Sequence, residues 1–209
     1  MAALIIGSGN DVDKSLLEDI VIEYVICADG GLEKANDLGV VPNIILGDFD
    51  SVDTSVLSSY KSLNIETVAY PSEKDYTDME LAINHAVEKG FKEIVLIGAS
   101  GTRLDHTVAN MLFIERFYKR NINIKIIDNY NIIQMVTDNM AIPYRENYYV
   151  SIIPFSDNIE GLTLKGFKYP LNDVKVERGS TLCISNEIAE NLGVIQLKKG
   201  SAFVIISKD

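Results

Sequence analysis

A doubly wound, mostly parallel α/β domain followed by a small all-β sandwich is the fold class this chain predicts, on three observations. Short β-branched runs alternate with helix-period stretches up to about residue 128. Those runs are continuously apolar, as strands covered on both faces are. After Tyr130 the helical period disappears and Gly, Asn, Asp and Pro punctuate short apolar runs, which reads as antiparallel β structure. The expected domains are 1–130 and 131–209.

The first strand is Leu4-Ile5-Ile6, followed by Gly7-Ser8-Gly9, and the second is Val25-Ile26-Cys27-Ala28, followed by Asp29-Gly30-Gly31. Ile44-Ile45-Leu46 runs into Gly47-Asp48-Phe49-Asp50-Ser51, and Glu66-Thr67-Val68-Ala69 is the fourth run. The clearest helix starts at Thr77-Asp78-Met79-Glu80, a capping-box pattern. Met79, Ala82, Ile83, Ala86 and Val87 then repeat on one helical face, and Gly90 ends it. His85, midway along, is expected at the surface. Ile94-Val95-Leu96-Ile97 and Ile124-Lys125-Ile126-Ile127 complete six strands. In the second half the strand candidates are Ile132–Val136, Tyr148–Ile153, Leu182–Ser185, Val194–Leu197 and Ala202–Ile206.

Composition narrows the function. With 209 residues, 47% of them hydrophobic, the chain can bury a sizeable core. No apolar run nears the roughly 20 residues that cross a bilayer, and Met1-Ala2-Ala3 lacks a basic signal start, so a cytoplasmic protein without a membrane role is expected. Cys27 and Cys183 lie in apolar runs without C-x-x-C spacing and read as reduced, buried thiols. A formal charge of −11 with scattered Lys and Arg argues against nucleic acid as a partner. Two histidines with neither a serine triad nor H-E-x-x-H spacing point away from serine or zinc hydrolysis, and no P-loop occurs.

The acidic motifs carry the chemistry. In an extended strand end, Asp48 and Asp50 share a face, and two carboxylates at about 4 Å repel by roughly 4 kcal/mol at an effective dielectric of 20. A divalent cation removes that repulsion. Magnesium takes one or two carboxylates plus water and phosphate, which suggests nucleotide handling; the bland reading is a polar turn that caps a helix. Asp29-Gly30-Gly31 permits a close backbone approach to a phosphate or nucleoside, or marks only a tight turn. In Lys74-Asp75-Tyr76-Thr77-Asp78, capping explains Thr77, and the helix dipole explains Asp78, but neither explains Lys74 and Asp75. Arg103 is a candidate phosphate fork or a structural partner of Asp105. His106 is a proton carrier, a nucleoside contact or a polar helix-start residue. All these motifs follow strands, where open α/β sheets bind ligands.

Together and in this order, Ala28-Asp29-Gly30-Gly31, Gly47-Asp48-Phe49-Asp50-Ser51, Lys74-Asp75-Tyr76-Thr77-Asp78 and Arg103-Leu104-Asp105-His106 with Asn110 resemble the thiamine pyrophosphokinase family. Gly166-Phe167-Lys168-Tyr169-Pro170-Leu171 and Ser185-Asn186-Glu187 resemble its β-domain motifs. The resemblance implies pyrophosphoryl transfer from ATP to the hydroxyl of thiamine, giving thiamine diphosphate and AMP. It implies an α/β nucleotide-binding catalytic domain, a β-sandwich that binds thiamine and dimerises, and a homodimer with active sites between subunits. Carried onto this chain, Asp48, Asp50 and Asp78 hold magnesium, with Arg103 as a further catalytic group. Asp29, Gly30, Lys74, Asp75, Thr77, Arg103, Asp105 and His106 belong to the nucleotide side, and Ser185 and Asn186 meet the thiamine pyrimidine. The chain departs from the family in having no Trp to stack on thiamine and in placing Thr102 where a second Gly is common. Two other readings are a magnesium-dependent nucleoside polyphosphate hydrolase and a non-catalytic thiamine- or nucleotide-binding regulator.

Overall fold

The computed structural model describes residues 1–48, 60, 65–71 and 73–209, and the chain divides into units Met1–Asn129 and Tyr130–Asp209. In the first unit, β1 (Ala2–Ile6), β2 (Ile22–Ala28), β3 (Ile44–Gly47), β4 (Glu66–Ala69), β5 (Glu93–Ile97) and β6 (Asn123–Ile127) pair in parallel. Their order is β4-β3-β2-β1-β5-β6. The chain steps outward from β1 to β4, then returns to the other side of β1, so the order reverses between β1 and β5. Such a reversal leaves a crevice at the carboxyl ends of the strands, because the two loops leave in opposite directions. β1 and β3 are buried at every position, as expected of strands covered on both faces.

Three described helices flank these strands: α1 (Gly31–Leu38), α2 (Asp78–Glu88) and α3 (Leu104–Tyr118). α2 buries Met79, Ala82, Ile83 and Ala86, the apolar positions that predicted it. Thr77 caps it by accepting from the Glu80 N–H at 3.2 Å. Gly90, with φ 92°, follows its last turn. Two details differ from the sequence reading. The Glu80 carboxylate goes to Arg116 of α3 at 2.6 Å, tying the two helices together. His85 is half-buried: its ring stacks on Tyr24 of β2 at 6.2 Å between centroids, because Tyr24 projects across the strand toward α2.

The second unit is antiparallel. β13 (Ala202–Ser207) pairs on one side with β7 (Asn131–Val136) and on the other with β9 (Tyr149–Pro154). A four-stranded sheet runs β11-β10-β12-β8, comprising β8 (Asn139–Pro143), β10 (Asn158–Lys165), β11 (Leu171–Glu177) and β12 (Leu192–Gln196). The N-terminal α/β and C-terminal all-β architecture is thus the expected class. Leu182–Ser185 is a correction, for it is no strand. Cys183 is buried while Leu182 and Ile184 are exposed, an alternation that imitates a strand, but the Ile184 N–H turns back to the Thr181 carbonyl and Ser185 has φ 55°. Strands β8, β10 and β11 are additions to the expected set.

Candidate active site

The β1 and β5 exits meet through main chain alone. Gly9 N–H donates to the Gly98 carbonyl at 2.8 Å, and Asn10 N–H donates to the Ser100 carbonyl at 2.6 Å. Gly98 has φ 61°, and a Cβ there would stand 2.1 Å from the Gly7 carbonyl oxygen; one on Gly9 would stand 2.1 Å from that of Ser100. Only glycine permits this approach. Around it lies a cavity of about 480 Å³ lined by the exits of β1, β2, β3 and β5, by the start of α2 and by the first turns of α3. That size suits a nucleotide or drug-sized ligand.

Three carboxylates, Asp29, Asp48 and Asp78, line the cavity together with the cations Lys74 and Arg103. Asp29 holds φ 45°, a left-handed conformation that Asp tolerates better than most residues, and its N–H donates to the Leu46 carbonyl at 2.8 Å. The turn is thereby locked to the next strand. Lys74, largely buried, donates to Asp78 at 2.8 Å, so the cation that precedes α2 is aimed by the carboxylate in its first turn. Arg103 stands at the N-cap of α3 and grips Asp105 as a fork, with Nη2 to Oδ2 at 2.7 Å and Nε to Oδ1 at 3.4 Å. The hydrogen bond from Arg103 holds the Asp105 carboxyl below its ordinary range, and the same bond raises the guanidinium. The pairing with Asp105 is the structural reading of Arg103, and it holds a largely exposed guanidinium in a fixed direction at the cavity lining.

Thr77 and His106 also line the cavity, whereas Gly30, Asp75 and Asp105 do not. Gly30 instead caps α1, and Asp75 is exposed. Asp50 lies outside the described residues, as do Phe49 and Ser51. Three lining residues are given no role by the sequence reading: Tyr76 and Ser100, which fall inside the motif stretches, and Thr107, which falls outside them. Thr107 Oγ1 accepts from Gly101 N–H at 3.1 Å, and buried Asn110 donates to the Ala99 carbonyl at 2.7 Å, so α3 holds the loop that precedes it. A single Ser or Thr leaves no periodic signal; a hydroxyl three or four residues into a helix after a Gly-containing loop is the one hint.

Ser185 and Asn186 belong to the second unit. Ser185 is exposed. Asn186 is buried, and its side chain is bound to backbone: Oδ1 accepts from Tyr169 N–H at 3.1 Å and Glu187 N–H at 2.9 Å, while Nδ2 donates to the Tyr169 carbonyl at 2.9 Å. The pair thus contains one presented hydroxyl and one brace. Both cysteines are buried thiols, with burial pushing Cys27 up to about 12 and Cys183 also upward.

Residues 20–126 match the family model described as thiamin pyrophosphokinase, catalytic domain, and residues 137–201 match thiamin pyrophosphokinase, vitamin B1 binding domain. A thiamine pyrophosphokinase of Bacillus subtilis is 40% identical over 186 residues, covering 88% of this chain and 87% of its own. A thiamin pyrophosphokinase 1 of Caenorhabditis elegans is 25% identical over 195 residues, covering 87% and 77%. Among solved structures, a thiamine pyrophosphokinase from Bacillus subtilis superposes with a TM-score of 0.91 at 36% identity over 100% of both chains. One from Geobacillus thermodenitrificans gives 0.86 at 34% identity, covering 100% of this chain and 98% of its own.

Proposed function

The chain belongs to the thiamin pyrophosphokinase family and carries its ATP:thiamine diphosphotransferase activity, and from that premise we propose that the transfer is conducted at the cavity at the β1–β5 reversal. The observation that supports this placement is the meeting of Asp48, Lys74, Asp78 and Arg103 around one cavity, from three segments that together span more than fifty residues of sequence. Transfer of this kind depends on positioning and on neutralising charge spread over the moving oxygens. In this reading Lys74 and Arg103 bind phosphate oxygens, Asp78 and Asp105 keep those cations aimed, and Thr77 fixes the start of the helix that carries Asp78. Asp29 and His106 complete the lining on the nucleotide side, and Gly30 and Asp75, outside the lining, flank it in sequence. Neither hydrolysis without an acceptor nor regulation without turnover gains support from the family membership.

Chemistry with ATP implies a divalent metal, and the donor set suits magnesium. Among the described residues no three His, Cys, Asp or Glu side chains gather closely enough to form a complete protein cage. Magnesium does not need one, because it keeps water and phosphate oxygens as most of its ligands. Asp48, Asp50 and Asp78 are the proposed holders, and the ion supplies neutralising charge at the phosphate oxygens when bound.

For thiamine, the exposed Ser185 hydroxyl is the proposed contact and Asn186 its support, the latter by bracing the Tyr169 backbone. A cationic thiazolium is drawn to a chain of net charge −11. The active form is proposed to be a cytoplasmic homodimer. No described helix is long and apolar enough to cross a membrane. Sedimentation of active protein tests the assembly, and a monomer mass overturns it. The reaction is tested by following thiamine diphosphate and AMP with and without thiamine. Products that require thiamine are expected, and equal ATP turnover in its absence refutes transfer.

A further inference from the structure

The loop between β5 and α3 is tethered at successive residues by Gly9, Asn110, Asn10 and Thr107. One further tether is ionisable. The Ser100 hydroxyl donates to Asp128 Oδ2 at 2.5 Å, and Asp128, directly after β6, is only 2% exposed. Asn10 Nδ2 donates to Ser100 Oγ at 3.5 Å from the β1 side. A tether alone does not require a carboxylate, since replacing both partners of a buried polar contact by apolar groups of the same shape can be nearly neutral.

Chemistry does explain it. A hydroxyl has one proton and an ionised carboxylate only accepts, so with its proton committed to Asp128, Ser100 Oγ is left as an acceptor. Ser100 also lines the cavity. Phosphate oxygens are acceptors themselves and are repelled by the carboxylate behind; an O–H or N–H of a nucleoside is suited to this position. We propose that Asp128 is a positioning residue that acts through Ser100, holding Ser100 Oγ as the acceptor for a donor group on the nucleoside part of ATP. ATP then lies with its nucleoside against Ser100 and its phosphates against Lys74 and Arg103. The inference rests on the proposal that ATP occupies this cavity.

Titration calorimetry with the magnesium complexes of ATP, 2′-deoxyATP, 3′-deoxyATP and purine riboside triphosphate, which lacks the adenine amino group, tests it. Ser100→Ala and Asp128→Ala should each weaken ATP binding about fivefold, the double variant no further, and Asp128→Asn, whose amide oxygen still accepts from Ser100, should recover most of the loss. One analogue should bind the parent chain about fivefold more weakly yet lose nothing further in Ser100→Ala, and its identity separates a ribose hydroxyl from the amino group. Should Asp128→Ala not fold, the Ser100→Ala arm carries the same comparison. A uniform Ser100→Ala penalty across ATP and every analogue, or an additive double variant, overturns the proposal alone. Failure of the folded parent chain to bind ATP overturns the cavity assignment as well.

Discussion

The two units place their polar residues by opposite logic. In the parallel unit every strand points the same way, so the β1, β2, β3 and β5 exits share an edge, and Asp29, Asp48 and Arg103 converge there although each follows a different strand. Antiparallel strands have no common exit. In the second unit the candidate residues sit on an irregular segment between β11 and β12, and Asn186, the buried one, serves the backbone rather than an open site. A parallel sheet therefore gathers chemistry by topology, whereas an antiparallel one must anchor it residue by residue.

The sharpest way to break this contrast is Asp78→Asn. It should lower thiamine diphosphate formation by about a thousandfold with far-UV circular dichroism unchanged, and near-parental turnover would remove the convergence argument. Gly98→Ala should cost about 3 kcal/mol in urea unfolding, because a methyl group there must enter the Gly7 carbonyl at a left-handed φ. A loss under 0.5 kcal/mol would show that the two exits can separate freely.

Alkaline pH compares the two cysteines. Cys27 titrates near 9 when unfolded and at about 12 when folded, so its share of stability is intact below pH 9 and falls as pH rises between those values. Relative to Cys27→Ala, the parent chain should lose about 2 kcal/mol by pH 10.5, with a smaller difference for Cys183→Ala; equal slopes would contradict the deeper burial of Cys27. Asn186→Ala should cost about 2 kcal/mol by stranding the Tyr169 backbone groups, while Ser185→Ala should spare stability and raise the KM for thiamine more than for ATP. The reverse pattern would exchange brace and contact. Thr77→Ala should remove about 1 kcal/mol through the lost cap, measured by thermal unfolding, and an unchanged midpoint would make that cap dispensable.

The same contrast governs what the sequence discloses. Continuous runs such as Leu4-Ile5-Ile6 announce buried parallel strands, and the acids just after them announce the crevice. Strand β10 is hidden because its apolar residues fall at Ile159, Leu162 and Leu164: the pairing shifts register around Gly161, whose φ is 70°, and the period of two is lost. Asp173 in β11, with φ 54°, interrupts that strand in the same manner. Leu182–Ser185 fails in the opposite direction, showing strand-like alternation without strand backbone. At the site, the pairing of Ser100 with Asp128 spans 28 residues and exists only because β5 and β6 lie side by side. No local pattern encodes it. The Glu80–Arg116 tie, 36 residues apart, is hidden for the same reason, its glutamate being already accounted for by capping.

The glycine contact beneath the cavity also bears on how far a sequence of this kind can drift. Where amides and carbonyls meet without side chains between them, that part of the lining consists of atoms that every amino acid shares, and within it only the few positions that must stay bare are sensitive to replacement. Chains matching at a quarter of their positions can in principle present the same surface to a ligand, and an inhibitor anchored on those peptide groups would leave resistance mutations little to alter.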